Sequence, residues 1–144
     1  MKPRNIFILE DNYKRIEWFE KNFGEQTDSF YIATTSQNAL HILSTHHSKW
    51  DEALTQIEWD IVFLDHDLGY DEDRRSFDEG TGMEVAKYFV QTRPGAKKIV
   101  IHSWNPEGSK NMLRGLISCG YDTKWFPFDP TETYLATVLN FANE

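Results

Sequence analysis

Two hydrophobic patterns alternate along this chain: short unbroken apolar runs, and longer segments whose apolar residues recur every three or four positions. The first reads as strands buried on both faces and the second as amphipathic helices. Strands are predicted at Asn5–Leu9, Ser29–Ala33, Ile61–Leu64 and Lys98–Ile101, with a last one running to about Phe126. The first helix, capped by Asp11 or Asn12, places Ile16, Phe19 and Phe23 on one face and ends at Gly24. A second begins at Ser36 with Ala39, Leu40 and Leu43 inward. A third follows the capping box Thr81-Gly-Met-Glu84, buries Met83, Ala86, Phe89 and Val90, and stops at Pro94-Gly95. Asn105-Pro106 opens a fourth, with Met112, Leu113, Leu116 and Ile117 inward and Gly120 closing it. Asp129-Pro-Thr-Glu132 caps the last, which buries Leu135, Val138, Leu139 and Ala142.

Two stretches fit neither pattern cleanly. Between Ser44 and Trp59, Leu54 and Ile57 predict a helix that resumes after Trp50, with Ser48 as its cap. Tyr70–Gly80 is polar, acidic at both ends, and carries Arg74-Arg75. It is too long for a tight turn, so it reads as an insertion that is either a flap or a surface loop. Strands and helices otherwise alternate throughout, which implies right-handed crossovers and a parallel sheet covered on both faces. The expected fold is a single doubly wound α/β domain spanning residues 1–144.

Composition narrows the function. Apolar residues make up 40% of the 144 positions, enough to bury a real core. A net charge of −8 argues against general binding to nucleic-acid backbone. The single cysteine, Cys119, leaves no intramolecular disulfide; Met1–Asn5 reads as leading straight into a strand rather than as a signal peptide, and no apolar run approaches membrane-spanning length. The expected compartment is the cytoplasm.

The candidate chemistry sits at strand ends. Glu10 and Asp11 follow the first strand, Asp65 and Asp67 the third (with His66 between them, and a turn at Gly69), and His102, Ser103 and Asn105 the fourth. Open α/β sheets bind ligands beyond the carboxyl ends of their strands. In a sheet of order 2-1-3-4-5, Glu10, Asp11 and Asp65 would share one crevice with His102 beside them. Acids at such range repel unless a cation lies between them, and Mg²⁺ (or Mn²⁺) accepts carboxylates while engaging phosphate oxygens.

Ile-Phe-Ile-Leu-Glu10-Asp11-Asn12 resembles the opening of a response-regulator (CheY-like) receiver domain. Asp60-Ile-Val-Phe-Leu-Asp65 resembles the strand ending in the receiver phosphoacceptor. Gly82-Met83-Glu84 and Phe126-Pro127-Phe128-Asp129 match its next helix start and its final Lys-Pro-Phe-Asp element. The resemblance spans nearly the whole chain and implies a flavodoxin-like fold, a five-stranded parallel sheet of order 2-1-3-4-5 with helices on both faces. It implies that Glu10, Asp11 and Asp65 are metal ligands, that Asp65 can accept a phosphoryl group, and that Asp67 offers its backbone carbonyl to the metal. The departures are specific. Phe126 stands where the family has its lysine, Lys124 is a displaced candidate, and His102-Ser103 occupies the switch threonine or serine position. Asp65-His-Asp67-Leu-Gly69 with His102-Ser-Trp-Asn105-Pro-Glu-Gly108 is similar to a divergent receiver-like group proposed to process cyclic phosphates in bacterial and phage conflict systems.

Each signal also has a structural alternative. Asp11 alone is a helix cap, and His102 can be a backbone-bonded histidine rather than a proton donor. Ser103 is a loop hydrogen-bonding residue or a nucleophile. Asn105 and Gly108 serve as cap and close-approach glycine, and the same helix start can cradle phosphate. His41, His46 and His47 read as a solvated helix end, and Trp50, Trp59, Trp104 and Trp125 as core or rim aromatics, with Trp104 also able to stack on a base. The leading expectation is a Mg²⁺-dependent phosphoesterase acting on a small phosphate ester, with a cyclic phosphate or cyclic nucleotide as the foremost class. In it Asp65, Asp67 and His102 are catalytic, Ser103, Asn105 and Gly108 bind substrate, and Glu10, Asp11 and Asp65 hold the metal. The rivals are a signalling receiver phosphorylated at Asp65, and a pseudo-receiver or nucleotide-sequestering protein that binds a partner without turnover.

Overall fold

The computed structural model describes residues 3–24, 27–46, 57–68 and 80–144. Five parallel strands, β1 (Asn5–Leu9), β2 (Ser29–Ala33), β3 (Trp59–Leu64), β4 (Ala96–Ile101) and β5 (Thr123–Trp125), pair in the order β2-β1-β3-β4-β5. Between and after them run α1 (Tyr13–Phe23), α2 (Ser36–Thr45), α3 (Gly82–Thr92), α4 (Pro106–Ser118) and α5 (Glu132–Ala142). This is the doubly wound architecture that the alternation predicts, with the flavodoxin-like strand order that the receiver resemblance implies.

Strand residues alternate between two cores because successive side chains leave opposite faces of the sheet. Phe7, Leu9, Val62, Leu64, Ile99 and Ile101 pack with Ala39, Leu43, Val85, Phe89, Met112 and Leu116 from α2, α3 and α4. Ile6, Ile8, Ile61, Phe63 and Val100 pack instead with Phe19 and Phe23 of α1 and Val138 and Phe141 of α5. The unbroken apolar runs follow directly from this double burial.

The structure corrects several sequence expectations. The third and fourth strands begin at Trp59 and Ala96, earlier than their apolar runs, since pairing extends past them to Trp59 opposite Ala96. Thr131, not Asp129, caps α5, its side chain accepting from the Tyr134 N–H. The buried face of α5 is Tyr134, Val138 and Phe141, while Leu135, Leu139 and Ala142 are half-buried. Tyr134 Oη donates to Phe126 O at 2.9 Å, which turns that ring inward. Ile117 is 52% exposed, because it lies a helical step away from the Met112–Leu116 stripe. Ile57 lies outside any helix and donates its N–H to His46 O. The Ser48, Trp50 and Leu54 expectation, His47, Gly69, and residues 70–79 of the insertion, with Arg74-Arg75, lie outside the described residues. Among the described residues, no helix is long and apolar enough to cross a membrane.

The start of α3 is pressed against the end of β3. Gly82 N donates to His66 O at 2.8 Å, and Asp67 and Thr81 form an isolated antiparallel bridge. A Cβ on Gly82 would lie 1.8 Å from Asp65 O, a backbone atom that cannot step aside. Gly82→Ala is therefore expected to destabilise the protein by about 1–3 kcal/mol or more through overpacking. Gly95→Ala, whose Cβ would meet only the Glu58 side chain, nearest at Cγ, 3.5 Å away, is expected to cost much less. Urea denaturation of the two variants checks the contrast.

Candidate functional site

Glu10, Asp65 and His102 each occupy the first position beyond a strand. Leu9 pairs with Leu64, and Leu64 with Ile101, so the three following residues sit abreast at the carboxyl edge of the sheet. The ladder continues into them: Asp65 N donates to Leu9 O, and His102 N to Leu64 O, both at 3.0 Å. Matched register sends their side chains to the same face. Ligand atoms of Glu10, Asp65 and His102 consequently lie within 4.8 Å of one another, and all three residues are buried.

A cleft of about 460 Å³ opens above this group, lined by Glu10, Asp11, Asn12, Arg15, Asp65, Asp67, Ser103 and Trp104. Glu10 is fully buried and densely bonded. Its Oε2 accepts from the N–H groups of Asp11 (2.8 Å) and Asn12 (3.0 Å). Its Oε1 lies 3.2 Å from His102 Nε2 and 3.4 Å from Arg15 Nη1. His102 stacks edge-on against Phe19 at 5.0 Å. Its ring lies behind Glu10 and forms no part of the cleft lining, and its Nδ1 is buried without a hydrogen-bond partner among the described residues.

The two residues after Asp65 form a second tier. Asp67 lines the cleft with its side chain 45% exposed. Its Oδ1 accepts from His66 Nδ1 at 2.8 Å and from Asn105 Nδ2 at 3.2 Å. Asn105 Oδ1 also accepts from the Gly108 N–H at 2.9 Å as the α4 cap. A Cβ on Gly108 would lie 2.5 Å from the His66 ring, so glycine here lets α4 close on that histidine. Asn105 thus bonds to Gly108 and to the Asp65–Asp67 loop, and Gly108 approaches the His66 ring, both outside the cleft lining. Ser103 lines the cleft, its Oγ accepting from Asn105 N at 3.1 Å, while Trp125 Nε1 donates to Ser103 O at 2.8 Å. Trp104 projects at the rim, 62% exposed. Trp59, by contrast, is a core residue.

Electrostatics separate the two buried acids. Burial pushes Asp65 up; the His102 charge pulls it down, the Glu10 charge pushes it up again, and the carboxyl settles at about 7. Burial also opposes the charge on Glu10, but the hydrogen bond and charge of His102, then the Asn12 N–H and Asp11, outweigh it and hold that carboxyl well below its usual range. Glu10 is thus held towards its anionic form, while burial and then the Glu10 charge make Asp65 resist ionisation. A divalent cation answers that imbalance, and the oxygen-rich set Glu10, Asp11 and Asp65 beside a water-accessible cleft fits Mg²⁺ or Mn²⁺.

Sequence reasoning missed Arg15 and Phe128 as parts of this site. Arg15 falls on the polar face of α1, and only the tertiary fold lays its guanidinium 5.1 Å above the Phe128 ring and against Glu10. Lys124, the displaced lysine candidate, lies 5.2 Å from the Phe141 ring and does not line the cleft. Phe126 is half-buried and 5.8 Å from the same ring.

The sequence profile of the cyclic-phosphate processing receiver domain matches residues 6–118. No curated protein sequence matches the chain. Among solved structures, a CheY-like response regulator receiver domain from Methylobacillus flagellatus is similar, with a TM-score of 0.64 and 17% identity over 98% of this chain and 99% of that one. Another, from Methanospirillum hungatei, has a TM-score of 0.60 and 16% identity over 99% and 95% of the two chains. A Burkholderia pseudomallei response regulator, recorded with a phosphorylated aspartic acid, a calcium ion and citrate, has a TM-score of 0.62 and 14% identity over 96% and 66%. At these identities the likeness is one of fold.

The titration of Asp65 has a measurable consequence. Its folded pKa of about 7 exceeds the ordinary 3.8, so the folded state holds a proton that the unfolded state has released. Its contribution to stability is therefore fully present below about pH 4 and is lost as pH rises towards 7 and above. Glu10 acts oppositely, its contribution being present above its ordinary 4.5 and lost only in strong acid. Without divalent ions the thermal midpoint is expected to fall from pH 5 to pH 8, and Asp65→Asn to flatten that slope. Millimolar Mg²⁺ should raise the midpoint more at pH 8 than at pH 5, because the metal competes with the proton. Equal Mg²⁺ shifts at the two pH values would contradict the assignment.

Proposed function

The chain belongs to the family of cyclic-phosphate processing receiver domains, and on that premise we propose that it is a divalent-metal-dependent phosphoesterase. Its substrate is a small phosphate ester, with a cyclic phosphate or cyclic nucleotide the leading class. The observation that carries this reading is the buried trio of Glu10, Asp65 and His102, whose ligand atoms lie within 4.8 Å of one another beneath an acid-lined cleft.

Glu10, Asp11 and Asp65 would hold Mg²⁺ or Mn²⁺, and Asp67 could add its backbone carbonyl. Bound there, the ion would neutralise the acids and polarise the phosphoryl oxygens. The protein's own groups supply the rest. Asp67 lines the cleft and is steadied by His66 and Asn105. It takes a proton from water as the water oxygen attacks phosphorus. As the P–O bond breaks, the leaving alkoxide takes a proton from water in the open cleft and Asp67 gives its own back to solvent. His102, buried behind Glu10, orients that carboxylate rather than reaching the leaving group. Ser103 contributes a hydroxyl to the wall against which the phosphate would sit, and Asn105 and Gly108 keep Asp67 and His66 in place.

A phosphoaccepting receiver is the second reading, supported by the place of Asp65 at the end of β3. The half-buried Phe126 in the lysine position, with Lys124 turned to Phe141, weighs against a phosphorylation-driven switch. Partner binding without turnover shares the fold but has no use for the acids in the cleft.

Linear and cyclic phosphodiesters incubated with Mg²⁺ or Mn²⁺ provide the test. Wild-type protein is expected to hydrolyse at least one with strict metal dependence, and Asp65→Asn to lose about a hundredfold or more. Full turnover in Asp65→Asn would sink the proposal. A lasting mass increase at Asp65 after acetyl phosphate and Mg²⁺, without diester hydrolysis, would move the assignment to the receiver.

A further inference from the structure

The cleft has a charge problem that the metal acids make worse. Four carboxylates line it, those of Glu10, Asp11, Asp65 and Asp67, against one cationic side chain among the described residues, Arg15. An anionic ester entering such a space would be repelled unless protein-borne positive charge meets it.

Arg15 is built to meet it. The Asn12 side chain accepts from the N–H groups of Lys14 and Arg15 and so fixes the first turn of α1. The guanidinium lies 5.1 Å above the ring of Phe128. That ring is itself pinned by the Phe128 N–H donating to His102 O at 3.0 Å. Stacking on a ring face restrains a guanidinium while leaving its in-plane N–H edges directed outward. Its side chain is 30% exposed, at the cleft wall rather than beneath it.

The bond from Arg15 to Glu10 is loose and dispensable. Its 3.4 Å length exceeds the roughly 2.7–2.9 Å of a strong charge-assisted contact. Glu10 already accepts from two backbone N–H groups and has His102 beside it. Releasing Arg15 would therefore leave no orphaned acid. The lysines of the last two strands are engaged elsewhere, Lys98 with Asp122 and both Lys98 and Lys124 with the Phe141 ring.

We infer that Arg15 is the phosphate-binding cation of this cleft, resting on Glu10 until a phosphate ester arrives and then turning its forked N–H edge to that phosphate. The inference rests on the phosphoesterase reading of the same cleft and adds a substrate-binding residue to it. A guanidinium stacked on Phe128 offers paired donors to two phosphate oxygens, which a lysine cannot match in geometry.

The test separates metal from anion. Mg²⁺ binding is followed by calorimetry, and inorganic phosphate binding in saturating Mg²⁺ by ³¹P NMR titration, for wild type, Arg15→Gln and Arg15→Lys. Arg15→Gln is expected to weaken phosphate binding about tenfold or more while Mg²⁺ binds as tightly as before, or a few-fold tighter with a competing cation gone. Arg15→Lys should keep part of the phosphate affinity. Unchanged phosphate binding in Arg15→Gln overturns the assignment. So does a parallel loss of Mg²⁺ and phosphate binding, which would mean that Arg15 only props Glu10. Wild-type protein that binds Mg²⁺ but not phosphate overturns the role of Arg15 and leaves the metal site standing. Protein that takes up no Mg²⁺ overturns both.

Discussion

The parallel hydrogen-bond ladder joining β1, β3 and β4 is the constraint on which this molecule's chemistry depends. The ladder runs one residue past each apolar strand, through Asp65 N to Leu9 O and His102 N to Leu64 O. Two carboxyls and an imidazole are thereby held in one buried group, in which the acids repel each other while the imidazole draws both. The force that holds them is the burial of Phe7, Leu9, Phe63, Leu64 and their neighbours on both faces of the sheet. That apolar burial far outweighs the unfavourable energy of one strained acid pair.

The protein resolves part of that unfavourable energy and leaves part unresolved. Glu10 is satisfied by backbone donors from its own loop, by His102 and by Arg15, and stays an anion. Asp65 has the His66 N–H on one oxygen but remains reluctant to ionise. Unequal neighbours of this kind are a recurring mark of sites that await a cation or move a proton. Around them, α3 and α4 are drawn in by Gly82 and Gly108, and the Asn105–Asp67–His66 contacts join the second tier to the first.

A fold can be retained at 14–17% identity because the ladder and its two cores ask only for apolar residues at alternating positions. At the site, the positive charge departs from what the receiver resemblance implies. Phe126 packs where the receiver resemblance places a lysine, and among the described residues Arg15 is the one cation in the cleft lining.

The sequence by itself determined the strand and helix order, the doubly wound class and the identity of the acidic strand ends. These depend on local periodicity and on the step from an apolar run to Glu10-Asp11, Asp65 or His102, all readable along a single segment. It also marked Asn105 as a helix cap, a role set within four residues. Tertiary structure alone decided that His102 lies behind Glu10 instead of facing the cleft, that α5 buries Tyr134 and Phe141, and that Arg15 rests on Phe128. Each of these joins residues far apart in the chain, and which face a side chain shares with a distant partner is fixed by sheet register and helix packing. Local pattern carries no record of that geometry.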